Sequence, residues 1–295
     1  MGSTFAFSGH VLLDTRHMLA EGPTYDSATD TAWWFDILGR TLTEHELTTG
    51  RTTVHPLPVM GSVLAFIDPG RQLLASDQGL FLRDAATGEL TLHTVLEPDR
   101  PDNRSNDGRV HPSGALWIGT MGRTAATGAG AIYHVAGTTV TKLYDAVSIP
   151  NSICFSPDGT IGYFTDTRVN KLMQVALDPT SGLPIAPPSV LVDGTGEDGG
   201  FDGSVCDGEG TIWNARWGVG AVDRYDASGQ HMARYLVPAR QTTCPAFIGR
   251  DAGRMLVTSA TENLDEAGLA ADPLGGRVFD LGISVKGKFD PKFRL

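Results

Sequence analysis

One short pattern recurs six times in order along this chain, and it constrains the fold more than any other feature. Each copy has an apolar stretch, a tight turn rich in Asp, Pro or Gly, and an apolar or aromatic run ending in a small or acidic residue. The first copy spans 23–36. The second spans 63–77 and turns at Asp68-Pro-Gly70. The third spans 109–120 and turns at His111-Pro-Ser-Gly114. The fourth spans 152–166 (Ser156-Pro-Asp-Gly159), the fifth 204–217 (Asp207-Gly-Glu-Gly210) and the sixth 246–260 (Arg250-Asp-Ala-Gly253). A second hairpin-like segment follows each copy, at 40–57, 79–96, 130–147, 170–192, 220–237 and 275–293. Two hairpins make four strands, and a four-stranded unit of roughly 40–50 residues, repeated in tandem, is a propeller blade. Alternation such as Ala221-Val-Asp-Arg-Tyr-Asp226 marks strands rather than helices. The 36 glycines and 17 prolines fit frequent turns, and no stretch carries a long capped helical stripe. The sequence therefore predicts an all-β fold: a six-bladed β-propeller with four-stranded antiparallel blades around a central channel, one domain over residues 1–295. The strand-like segment from Phe5 to Leu13 is expected to close the ring by joining the last blade.

Charge and composition narrow the function. A net charge of −11, with no basic patch, argues against nucleic acid or an anionic membrane as partner. No apolar run approaches the ~18 residues that a membrane span needs. The N-terminus shows no apolar core behind a basic start, and Cys154, Cys206 and Cys244 fit neither a zinc pair nor complete internal pairing. Reduced core thiols and a cytoplasmic location are the expectation. Oligomeric state is open between a monomer and a small homo-oligomer, since a closed ring leaves few sheet edges to pair.

The innermost strand of a blade opens at one mouth of the channel, so the residues at that point of each repeat face one axis. They include Glu21, Asn106, Asn151 and Asp202, whereas blades two and six offer Gly61-Ser62 and Thr243-Cys244. Two carboxylates and two amide oxygens around one opening suit a single divalent cation, with Ca²⁺, Mg²⁺, Mn²⁺, Zn²⁺ and Fe²⁺ not distinguished. Without a cation, the carboxylates would repel one another.

With these positions in view, the chain resembles the senescence-marker-protein/gluconolactonase, or regucalcin-like, family of sugar lactonases. The resemblance is carried by Glu21-Gly-Pro23, Asn103-Arg-Ser-Asn-Asp-Gly108, Gly119-Thr-Met121, Pro150-Asn151, Ser156-Pro-Asp-Gly159, Phe201-Asp-Gly203 and Gly208-Glu-Gly-Thr-Ile-Trp213. It implies a six-bladed propeller, one bound divalent metal and hydrolysis of a sugar lactone. It assigns Glu21, Asn151 and Asp202 to the metal, Asp202 also to proton transfer, and Arg104 and Asn106 to substrate binding. The family's lid usually carries acidic residues; here it reads Gly122-Arg-Thr-Ala-Ala-Thr-Gly128, so the exact substrate is open. Arg123 on this lid is a candidate substrate-binding residue that would favour an anionic lactone.

Hydrolysis of a cyclic ester needs a polarised carbonyl, an activated water and a proton for the departing ring oxygen. A metal and Asp202 can divide these tasks. No Gly-x-Ser-x-Gly elbow or His-Glu-x-x-His pair offers another chemistry, and His111, in a turn, is expected to be exposed rather than catalytic. The leading expectation is thus a metal-dependent lactonase opening an aldonolactone to its aldonic acid. The alternatives are a broader ester or organophosphate hydrolase on the same scaffold, and a calcium-binding or interaction propeller without turnover.

Overall fold

Each pair of hairpins folds into one antiparallel sheet, in the order set by the repeats. The computed structural model describes residues 2–295 and contains six such sheets arranged as a ring. Blade one comprises Ala20–Asp26, Thr31–Asp36, Thr41–Glu46 and Thr52–Pro56; blade two, Gly61–Asp68, Arg71–Ser76, Gly79–Asp84 and Leu90–Thr94. Blade three comprises Asn103–Val110, Leu116–Gly122, Gly130–Ala136 and Thr139–Val147; blade four, Pro150–Phe155, Ile161–Asp166, Lys171–Ala176 and Ser189–Asp193. Blade five comprises Gly200–Cys206, Ile212–Trp217, Ala221–Tyr225 and His231–Leu236. Blade six takes Thr242–Ile248, Arg254–Ser259 and Val278–Asp280 from the end of the chain and His10–Leu13 from its beginning. The first strand of every blade lies innermost, against the first strands of its two neighbours.

Burial follows the radius of the ring. Inner strands such as Asn103–Val110 and Thr242–Ile248 are buried along their whole length, while outer strands such as Thr52–Pro56 are largely exposed. The core is divided among the seams between blades. Trp33, Phe35, Leu64 and Leu74 join blades one and two, and Val63, Leu73, Leu116 and Tyr133 join two and three. Trp117 and Phe155 join three and four, and Tyr163, Cys154, Phe201 and Cys206 join four and five. Val205, Trp213, Phe247 and Phe279 join five and six, while Trp34, Ile248 and Val278 join six and one. Apolar burial is therefore spread over six interfaces, which is why no single segment of the sequence reads as the core. The three cysteines are buried and unpaired, as expected.

Three expectations need correction. The segment from Phe5 to Leu13 is not one strand. His10–Leu13 completes blade six, but Ser3–Phe5 lies parallel to His231–Leu236 as an added fifth strand on blade five. The segment 275–293 is not a hairpin. Only Val278–Asp280 pairs in the sheet; Gly282 then turns the chain away at φ 72°. The following residues cross the far mouth of the channel, where Phe293 N donates to the Phe66 carbonyl (2.8 Å) and Arg294 N to the Gly114 carbonyl (3.0 Å). The Phe293 ring is buried at the seam of blades two and three, and Asp290 pairs with Arg109 at 2.6 Å. Two small voids, of about 20 and 10 Å³, lie between this tail and the inner strands. His111, finally, is fully buried rather than exposed. Its Nε2 lies 2.9 Å from the Gly159 carbonyl and its ring packs edge-on against Phe155, so it ties two neighbouring turns together.

Candidate functional site

All six inner strands carry a register irregularity at the same place, just after they enter from the open mouth. It falls between Glu21 and Thr24, Gly61 and Val63, Ser105 and Gly108, Asn151 and Cys154, Phe201 and Ser204, and Thr242 and Pro245. A bulge bends the strand and re-aims its side chains. The backbone is left-handed there at Gly22 (φ 56°) and at Ser152 (φ 59°), a conformation that costs a non-glycine residue and is held by its surroundings. Glu21 and Asn151 stand at the edge of their bulges, and Asn106 and Asp202 stand inside theirs.

The structure brings every predicted site residue to one pocket. Glu21, Arg104, Asn106, Arg123, Asn151 and Asp202 line a cavity of about 330 Å³, together with Met121, Thr167, Trp217, Glu262 and Asn263 among others. Arg104 Nη1 donates to Asn106 Oδ1 at 2.7 Å. Asn106 Nδ2 donates to the Pro150 carbonyl and to Asn151 Oδ1, both at 2.9 Å. Asn151 Nδ2 donates to Thr167 Oγ1 at 2.9 Å, and Thr167 Oγ1 donates to the Phe201 carbonyl at 2.7 Å. This chain of bonds fixes both amides, and it engages the Asn106 oxygen with the guanidinium. Arg123 stands at the rim, where Nη2 bonds Asp77 Oδ2 at 2.8 Å; its charge is already met before any substrate arrives.

The two carboxylates are less well provided for. Glu21 and Asp202 are only 7% and 5% exposed, and among the described residues neither forms an ion pair. Glu21 accepts only from the Gly22 N–H, at 2.9 Å. Burial, and next the nearby Asp107, push its carboxyl up to about 8; Asp202 is raised well above the ordinary range by burial and by Glu21 and Asp107. Two buried, mutually repelling carboxylates with no directly paired cation, only partly offset by Arg104 and Arg109, are an unfavourable arrangement that a bound cation would relieve. Among the described residues no group of three or more His, Cys, Asp and Glu is placed to hold a metal ion. An ion here would have to draw on an amide oxygen as well; Asn151 Oδ1, which accepts one bond from Asn106 and keeps a second lone pair, lines the same pocket as the two carboxylates. This set of hard oxygens fits a divalent cation of the Ca²⁺, Mg²⁺ or Mn²⁺ kind.

Some residues around the site escape a reading based on strand starts. Asp107 lies one step below Asn106, pushed up to about 6 by burial against the pull of Arg109; its carboxylate accepts from the Ile153 N–H (2.7 Å) and binds blade three to blade four. Its place in the motif Ser105-Asn-Asp-Gly108 was the available signal. Thr167 and Glu262 come from turns beyond the repeat copies, and Trp217 ends the strand Ile212–Trp217, the last position of the fifth copy.

The fold, a six-bladed propeller with a polar pocket at the inner-strand starts, is matched by sequence comparison. The chain belongs to the SMP-30/gluconolactonase/LRE-like family, whose model matches residues 19–261. A Rhizobium meliloti protein, provisionally named a sugar lactone lactonase, is 59% identical over 289 residues, covering 98% of each chain. The L-arabinolactonase of Azospirillum brasilense is 35% identical over 91% of this chain and 90% of its own. The crystal structure of regucalcin from Agrobacterium tumefaciens, described as a calcium-binding protein, is 64% identical and superimposes with a TM-score of 0.99 over the full length of both chains.

Proposed function

We propose that this protein is a divalent-metal-dependent lactonase that opens a sugar lactone to its aldonic acid. The observation that carries the reading is the pair of buried carboxylates, Glu21 and Asp202, which converge beside the fixed Asn151 oxygen in a pocket large enough for a sugar ring. The names of the relatives, a provisional sugar lactone lactonase and an L-arabinolactonase, supply the substrate class.

In this reading Glu21, Asn151 and Asp202 hold the metal, which when bound supplies positive charge against the developing oxyanion. Asp202 takes a proton from the water whose oxygen attacks the carbonyl carbon. The acyl–oxygen bond of the ring breaks, and the same proton passes to the departing ring oxygen, leaving an acid and a free hydroxyl. Arg104 presents its forked donors to substrate oxygens, and its bond to Asn106 holds the fork in place. Asn106 acts on the substrate side of the pocket. The pairing of Arg123 with Asp77 makes it a tether of the rim before it is an anion receptor.

A pH-indicator assay over a panel of aldonolactones, with and without chelator, tests the proposal. The expected result is turnover that chelator abolishes and added divalent metal restores. A second reading, a calcium-binding propeller without turnover, is favoured by the description of the Agrobacterium relative. It would prevail if calcium binds and no lactone is opened.

A further inference from the structure

Most polar groups of the pocket are already engaged with one another. Asn106, Asn151 and Thr167 form a closed chain of hydrogen bonds with the Pro150 and Phe201 carbonyls, and Arg123 is held by Asp77. A polyhydroxylated ring entering from water brings several O–H donors, and each loses free energy unless it finds an acceptor. Glu21 and Asp202 are committed to the centre of the site.

The other carboxylate in the pocket wall belongs to Glu262, on the turn that follows Arg254–Ser259. It is half-buried, and among the described residues its carboxylate makes no hydrogen bond or ion pair; its backbone carbonyl accepts from Gln241 Nε2 at 2.9 Å. Glu262 and the buried Arg104 guanidinium line the same cavity. The turn is pinned. Thr261 N donates to the Met18 carbonyl and Thr261 Oγ1 to the His17 carbonyl, each at 3.0 Å; Leu264 N closes back on the Thr261 carbonyl at 3.1 Å, and Asn263 adopts a left-handed φ of 59°. A fixed turn thus holds a free acceptor in the same cavity as a forked donor, the combination that a pair of neighbouring hydroxyls requires.

We propose that Glu262 is a specificity-determining residue that accepts hydrogen bonds from the ring hydroxyls of the substrate while Arg104 donates to an adjacent oxygen. The inference rests on the lactonase reading for the nature of the ring, and it deepens that reading. A third carboxylate beside Glu21 and Asp202 repels anionic substrates and favours neutral, polyhydroxylated ones.

The test compares the metal-loaded wild type with Glu262→Ala and Glu262→Gln on a hydroxylated aldonolactone and on γ-butyrolactone, which has no hydroxyl. Glu262→Ala should raise KM for the aldonolactone about ten-fold or more, with kcat within about three-fold, and should leave γ-butyrolactone hydrolysis unchanged. Glu262→Gln, which keeps an acceptor oxygen, should recover part of the loss. Equal losses on both lactones, or no loss on either, would overturn the proposal. Calorimetric titration with an anhydroalditol, a cyclic ether bearing the hydroxyls but no carbonyl, reads the same contact without turnover. If the wild type opens no lactone but Glu262→Ala binds the anhydroalditol more weakly, the inference stands and the lactonase reading falls. Equal binding by both proteins would overturn the inference alone.

Discussion

At the scale of single residues, the site stores unfavourable electrostatics where its chemistry is proposed to occur. A carboxyl whose proton is held more firmly in the folded protein than in the unfolded chain makes folding less favourable as that proton is lost. For Glu21 the effect begins near pH 4.5, the ordinary range of a glutamate, and is complete above about 8. The melting temperature of the chelated protein is therefore expected to fall between pH 5 and pH 8. Added Ca²⁺ or Mn²⁺, competing with the proton, should raise it more at pH 8 than at pH 5; scanning fluorimetry at the two pH values would show it, and an equal gain at both would count against the ion lying beside Glu21. Asp202→Ala should cut turnover at least ~10³-fold and, by deleting one of two mutually repelling buried carboxyls, weaken the fall in the chelated protein's melting temperature as pH rises. Loss of the fold in this variant would make Asp202 structural. These central residues were legible in the sequence because the repeat places each at an equivalent point, and a hard-oxygen side chain stands out there. Glu262 was not, because the turn that carries it has no counterpart in the other repeats, and Trp217, although it ends the fifth copy, stands where the other copies end in small or acidic residues. The state of Arg123 was hidden too, since its partner Asp77 lies in another blade.

At the scale of elements, the shared bulge explains how strand starts become a site. A regular strand would alternate its side chains between the two faces of the sheet; the bulge breaks that alternation at the one level where side chains must reach the axis. The repeats gave away the hairpins because turns have strong local signals. They did not give away the bulges, which depend on pairing between strands. The N-terminal segment shows the same limit. Its strand character was readable, but not its division between two blades. The two pieces should differ in importance. Ser3–Phe5 is exposed and adds an outer edge, whereas His10–Leu13 pairs with Val278–Asp280 and brings Val11 against the seam of blades five and six. Deleting residues 2–6 should cost little stability, and deleting 2–13 should lower the urea midpoint sharply or prevent folding. Similar midpoints for the two truncations would show that blade six needs no fourth strand.

At the scale of the whole molecule, the ring is held closed twice, by His10–Leu13 at the seam and by the tail that crosses to blades two and three. Phe293 is 2% exposed although it lies only two residues before Leu295. Phe293→Ala should cost about 3–5 kcal/mol in urea denaturation. A cost below about 1 kcal/mol would mean that the tail rests on the ring without bracing it. The six-bladed ring was the most legible feature of the sequence, because six copies of one pattern permit few other arrangements. The tail was misread as a hairpin, because its anchors, Phe66, Arg109 and Gly114, are remote in sequence. The tail also settles the traffic through the molecule. Asp290 of the tail pairs with Arg109 of the inner strand Asn103–Val110 at the end of the channel away from the pocket, so the pocket side is the expected route both in and out. If product leaves by the same side and binds the same Glu21, Asn151 and Asp202 groups, its inhibition should be competitive with the lactone, and a rise in KM with unchanged kcat at increasing product would show it.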